Sequence, residues 1–132
     1  MEYRKNMSFD DKLTMAAQTD HFNNLGALEF RKGNIAEAIV YYTQALIVMP
    51  ENDDALINLA MCYNKLGHYN EAIQYCHKAI KIDPDRAEGY RTIGDAYLLR
   101  SDDYNAVKWY RESSKRGDKS SANWLNQCGY GV

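Results

Sequence analysis

Residues 53–86, DDALINLAMCYNKLGHYNEAIQYCHKAIKIDPDR, can be laid over the residues on either side without a gap. Moved back by 34 residues, the period of one class of helical repeats, the stretch sets Leu59, Ala60, Gly67, Glu71, Ala72, Ala79 and Pro84 over Leu25, Gly26, Gly33, Glu37, Ala38, Ala45 and Pro50. Moved forward, it keeps Ile93, Gly94, Tyr97 and Ala106 in place, but Ser101 stands for the glycine, Ser113 for the alanine and Asp118 for the proline. The third copy is eroded toward its end, as terminal repeats of a stack tend to be.

Each copy reads as a helix, a tight turn and a second helix. In the central one, Leu56, Leu59, Tyr63 and Leu66 recur at helical intervals. Gly67 supplies a left-handed turn, and Tyr69, Ile73, Cys76 and Ile80 mark the next helix. The first copy repeats this with Phe22, Leu25, Gly26 and Leu28, the turn at Gly33, and then Ile39, Tyr42 and Leu46. Asn34 is the expected cap, with Glu37 placed to reach back to its amide. Pro50 and Pro84 end the second helices. In the third copy Tyr104 falls one residue late, which predicts a reshaped turn around Ser101, with Asp102 or Asp103 as cap. Gly26, Ala60 and Gly94 on first helices, and Ala38, Ala72 and Ala106 on second ones, let the backbones cross closely.

This pattern of Leu-Gly, Tyr, Gly, Ala, Tyr or Phe, Ala and Pro resembles the tetratricopeptide repeat over residues 19–118. The resemblance implies an all-α, right-handed α-solenoid of three helix-turn-helix repeats at residues 19–52, 53–86 and 87–118. Residues 119–132 then hold a capping helix, with Trp124 in the place of Phe22, Leu56 and Tyr90. Residues 1–18 are expected to be an N-terminal extension. It is either a short helix capped by Ser8, with Phe9, Leu13 and Ala16 on one face, or a disordered tail; folding back into the groove is the alternative.

The 132 residues are 45% hydrophobic with a formal net charge of -2, which argues against a general nucleic-acid or anionic-membrane binder. No apolar run is long enough for a bilayer and the first residues, MEYRKNMSFDDK, lack the apolar core of an export signal, so the cytoplasm is the expected location. Cys62, Cys76 and Cys128 are odd in number and lack CxxC spacing, and are read as reduced thiols. His21, His68 and His77 are scattered, with no HExxH pairing. Cys76 and His77 are helical neighbours that point apart. The acidic turns at residues 51–54 and 83–86 lack the spacing and glycine of a calcium loop. No catalytic, cofactor or metal site is expected, and no enzymatic activity.

What helical repeats build instead is a concave face lined by successive first helices. The family resemblance places there Asn23, Ala27, Phe30 and Arg31; then Ile57, Asn58, Met61, Asn64 and Lys65; then Arg91, Thr92, Asp95, Leu98 and Leu99. Phe30, Ile57, Met61 and Leu98 would form an apolar strip, and such strips mark interaction sites. Asn58 and Asn64 would hold a peptide backbone, while Met61 adapts to varied side chains. Chaperone-binding members of the family grip a C-terminal carboxylate with Lys and Asn, then Asn, then Lys and Arg. The corresponding places here hold Asn23 and Ala27, then Asn58, then Glu88 and Thr92, so only Asn58 matches and the carboxylate-clamp subtype is not expected. The expected function is a non-catalytic protein-interaction module, an adaptor holding an extended or helical peptide segment of a partner protein in its groove. A small dedicated chaperone shielding a client segment, or self-assembly into a weak homo-oligomer through the same groove, are the alternatives.

Overall fold

In the computed structural model, which describes residues 6–131, the first helix is α1, Phe9–Arg31. Ser8 starts it by accepting the Asp11 N–H on Oγ at 3.1 Å, and Asp10 and Asp11 suit the positive end of the helix dipole. Residues 9–18 are therefore not a separate short helix, a tail or a plug for the groove, but the opening turns of α1. No glycine or proline lies between Phe9 and Gly26 to break it, and the apolar pattern merely changes phase at Thr19. The expectations for residues 1–5 fall outside the described residues.

Six further helices follow: α2, Ile35–Val48; α3, Asp53–Lys65; α4, Tyr69–Ile82; α5, Ala87–Leu99; α6, Asp103–Lys115; and α7, Lys119–Gln127. The pairs α1/α2, α3/α4 and α5/α6 are helical hairpins. Each second helix packs on the first helix of the next pair, and α7 lies on α6. The result is an all-α solenoid.

The three hairpin turns share one geometry. Gly33 and Gly67 take φ of 86° and 81°, and Ser101 takes 61° at the same place in the period. In each turn an N–H reaches five residues back: Asn34 to the Glu29 carbonyl (2.9 Å), His68 to Tyr63 (2.8 Å) and Asp102 to Tyr97 (2.9 Å). The third turn is thus not reshaped. These bonds hold Ser101 in the left-handed region although its Cβ disfavours it. The late Tyr104 does not displace the helix either; Asp103 takes the place of Ile35 and Tyr69, and Tyr104 is 84% exposed. Asp102 is the cap, accepting the Asn105 N–H at 3.2 Å. Asn34 does not cap through its side chain: its amide donates to Glu29 Oε2 at 2.8 Å, and that bond lowers the Glu29 carboxyl pKa.

The core runs through the stack. Ala38, Ala72 and Ala106 are fully buried at equivalent crossings, with Leu59, Ile93 and Leu125 between the layers. The loop before α5 is tied down twice, since Tyr90 donates its hydroxyl hydrogen to the Pro84 carbonyl at 2.7 Å and Arg116 Nε donates to the same oxygen at 2.8 Å. The Arg116 guanidinium lies 3.8 Å from the Tyr90 ring centroid. At the C-terminal end Asp118 begins α7 by accepting the Ser121 N–H at 3.0 Å, and it pairs with Arg91 of α5 at 2.9 Å. Trp124 then packs between Tyr110 and Tyr130. On the outer side of α2, Val40 and Ile47 remain exposed. Among the described residues no helix is long and apolar enough to cross a membrane.

Candidate functional site

The first helices α1, α3 and α5 stand in sequence, so residues 34 apart occupy the same station on successive helices. Along α3, Leu56, Leu59, Ala60 and Cys62 are buried, and Asp54, Asn58, Met61 and Lys65, at spacings of four, three and four, form its open stripe. A groove of about 570 Å³ lies over the C-terminal half of this stripe, at Met61 and Lys65. It is lined by Phe30 from α1, by Met61, Asn64 and Lys65 from α3, by Tyr69 from α4, and by Asp95, Leu98 and Leu99 from α5.

Of the residues the sequence placed on this face, Phe30, Met61, Asn64, Lys65, Asp95, Leu98 and Leu99 come together there. Ile57 does not. It is 2% exposed and packs with Leu56, Ala79, Leu46 and Tyr75, because the C-terminal ends of α2 and α4 close over the start of α3. Asn23 is drawn aside by a 3.0 Å bond to Asn52, whose Oδ1 also caps α3 through the Ala55 N–H. Arg91 is engaged by Asp118. Thr92 is buried, with its hydroxyl turned back to the Glu88 carbonyl at 2.8 Å. Ala27, Arg31 and Asn58 lie outside the lining. Tyr69 is the residue the sequence reading missed; its signal was its position just past the hairpin turn, where the second helix swings beside the groove.

Two groove residues have unusual polar surroundings. Asp95 accepts the Tyr110 hydroxyl on Oδ1 at 2.5 Å. Burial raises its pKa, and the Tyr110 bond and the Arg91 charge oppose that rise without cancelling it. Asn64 is 9% exposed; its amide Nδ2 donates to the Thr92 carbonyl at 3.3 Å, while Oδ1 is covered and has no donor among the described residues. An unmet buried acceptor of this kind costs about 1–3 kcal/mol.

Cys76 is fully buried and its thiol pKa is raised by burial, while His77 is exposed and meets Trp109 edge-on at 5.5 Å. Among the described residues no three His, Cys, Asp or Glu side chains are grouped to hold a metal.

A tetratricopeptide repeat family model matches residues 29–95, spanning most of the first repeat, all of the second and the start of the third. The chain belongs to the tetratricopeptide repeat family. A TPR repeat-containing thioredoxin from Arabidopsis thaliana is 30% identical over 90 residues, covering 68% of this chain and 13% of its own length. Hsp70-Hsp90 organizing protein 3 of the same plant is 32% identical over 91 residues, covering 69% of this chain and 16% of its own. The chain thus spans less than a fifth of either relative. Among solved structures, the second tetratricopeptide repeat domain of human RPAP3, in complex with the HSP70 peptide SGPTIEEVD, superposes with a TM-score of 0.75 at 23% identity. That match covers 86% of this chain and 96% of the domain. At such identity the likeness concerns the tetratricopeptide repeat fold.

Proposed function

We propose that this chain is a non-catalytic binding module that holds a short peptide segment of a partner protein in the groove between α1, α3 and α5. The observation that carries the reading is the groove wall itself, where Phe30, Met61, Leu98 and Leu99 present apolar surface beside the polar groups of Asn64, Lys65, Tyr69 and Asp95. A superposable domain solved with a peptide supports the class of ligand. An adaptor role is in keeping with the Hsp70-Hsp90 organizing relative.

The same reading sets this groove apart from one that clamps a terminal carboxylate. Asn58 is half-buried outside the lining, Glu88 is bound to Arg86 at 3.0 Å, and Thr92 is buried. No cation stands where the clamp would need one. We also infer a cytoplasmic setting, which suits the free Cys62 and Cys76 thiols.

Phage-displayed peptide selection tests the groove directly. Wild-type chain should enrich a peptide family, and Met61→Trp, which fills the groove without changing its charge, should lose those peptides while keeping the helical circular dichroism of the parent. Undiminished binding by Met61→Trp would refute the reading.

A further inference from the structure

We propose that the groove selects a peptide segment carrying a lysine or arginine side chain, seated with its charge at Asp95 and its aliphatic stem along Met61 and Leu98. The inference rests on the groove being the binding surface, and it names the ligand chemistry which that surface favours.

Asp95 is a carboxylate on the wall of an otherwise largely apolar groove. Tyr110 fixes its Oδ1, which sets the direction of the group, and no donor among the described residues is bonded to Oδ2. Arg91, the cation that acts on Asp95, is held 2.9 Å from Asp118 and is only partly available to neutralise it. Asn64 gives the ligand no competing group, because its amide nitrogen is bonded to the Thr92 carbonyl and its Oδ1 is covered. A carboxylate set in a largely apolar wall favours a ligand that brings an N–H donor to it.

Lysine and arginine meet both demands, since their stems cover apolar surface while their heads donate. Lys65 also lines the groove, but it is exposed, and a charge in water acts more weakly than one partly withdrawn from it. An acidic side chain at the same station would face Asp95 with like charge.

The test uses fluorescein-labelled peptides of one frame, Gly-Ala-Leu-X-Leu-Ala-Gly, with X as lysine, arginine, norleucine or glutamate, titrated into the full chain. The lysine and arginine peptides should bind about tenfold tighter than the norleucine peptide, and glutamate weakest. Asp95→Asn, which can keep the Tyr110 bond, should erase the preference for the lysine and arginine peptides over norleucine. Norleucine or glutamate binding as tightly as lysine, or a preference that survives Asp95→Asn, overturns the inference alone. If no peptide binds, or if all bind Met61→Trp as well as the parent, the groove reading falls with it. Sedimentation that shows a second copy filling the groove, lost in Met61→Trp, likewise overturns it.

Discussion

The Tyr110 ring occupies the space in which a side chain on Gly94 would stand: a Cβ built there lies 2.7 Å from Tyr110 Cδ1. Gly26 and Tyr42 repeat the relationship at 2.5 Å two repeats earlier. In the middle repeat the same two stations hold Ala60 and Cys76, a larger residue facing a smaller one. The first helix yields volume where the second supplies a ring. Gly94→Ala should therefore destabilise the fold by about 1–3 kcal/mol through overpacking. In a Tyr110→Cys background the added methyl should cost almost nothing. Chemical denaturation of the four proteins in this cycle measures the coupling, and equal costs in both backgrounds would contradict it.

Ser101 sits in the left-handed region at φ 61°, where its two counterparts are glycines. Ser101→Gly should raise stability by about 1 kcal/mol by relieving that strain, despite glycine's greater freedom in the unfolded chain. Thermal unfolding decides it; a lower melting temperature would mean that the serine is not strained.

Ile57 and Met61 lie one turn apart on α3 but differ in fate. Ile57→Glu forces a charge into a site 2% exposed and should cost several kcal/mol, enough to lose the helical signal at moderate temperature. Met61 is at the groove, and Met61→Glu should leave the unfolding midpoint within about 0.5 kcal/mol of the parent. Circular dichroism melts of the two variants distinguish the faces.

Asp95 has a folded-state pKa raised above its ordinary 3.8, chiefly by burial. Its contribution to stability is full below 3.8, where the carboxyl is neutral in both states, and is lost as pH rises through the folded value. Asp95→Asn removes that loss. The stability of the variant relative to the parent should thus be more favourable at pH 8 than at pH 4. The opposite trend in paired melts would show that Asp95 is stabilised as an anion.

Cysteine reactivity should report the packing. Burial pushes the Cys62 thiol up to about 12 and raises Cys76 further, while Cys128 is exposed beyond α7. Iodoacetamide at pH 7.5 should add one label to the native chain, at Cys128, and three after denaturation, read by mass spectrometry.

The repeat was legible because its marks are local and recur: the left-handed turns, the small residues at helix crossings, and the apolar stations 34 residues apart. Where the reading failed, the cause was tertiary. Nothing in the sequence around Thr19 shows that α1 begins ten residues earlier, because a helix without a breaker carries no boundary signal. Ser101 looked like a departure from the turn, yet hydrogen bonds from neighbours impose the turn regardless of side chain. Ile57 carries the same apolar signature as Met61, and only the convergence of α2 and α4 separates them. Tyr69 escaped because the family pattern speaks of first helices.

Val40 and Ile47 on the outer side of α2, with Thr43 between them, have counterparts 34 residues apart in Gln74, His77 and Lys81 of α4, then Lys108, Arg111 and Lys115 of α6. Backbone repetition here does not extend to the surface. The outer side passes from aliphatic through mixed polar, with one lysine, to wholly basic at these stations along the stack, so the solenoid has a chemical polarity that its symmetry conceals. A protein lying lengthwise on that side would meet oil at one end and positive charge at the other, and would fit in one direction only.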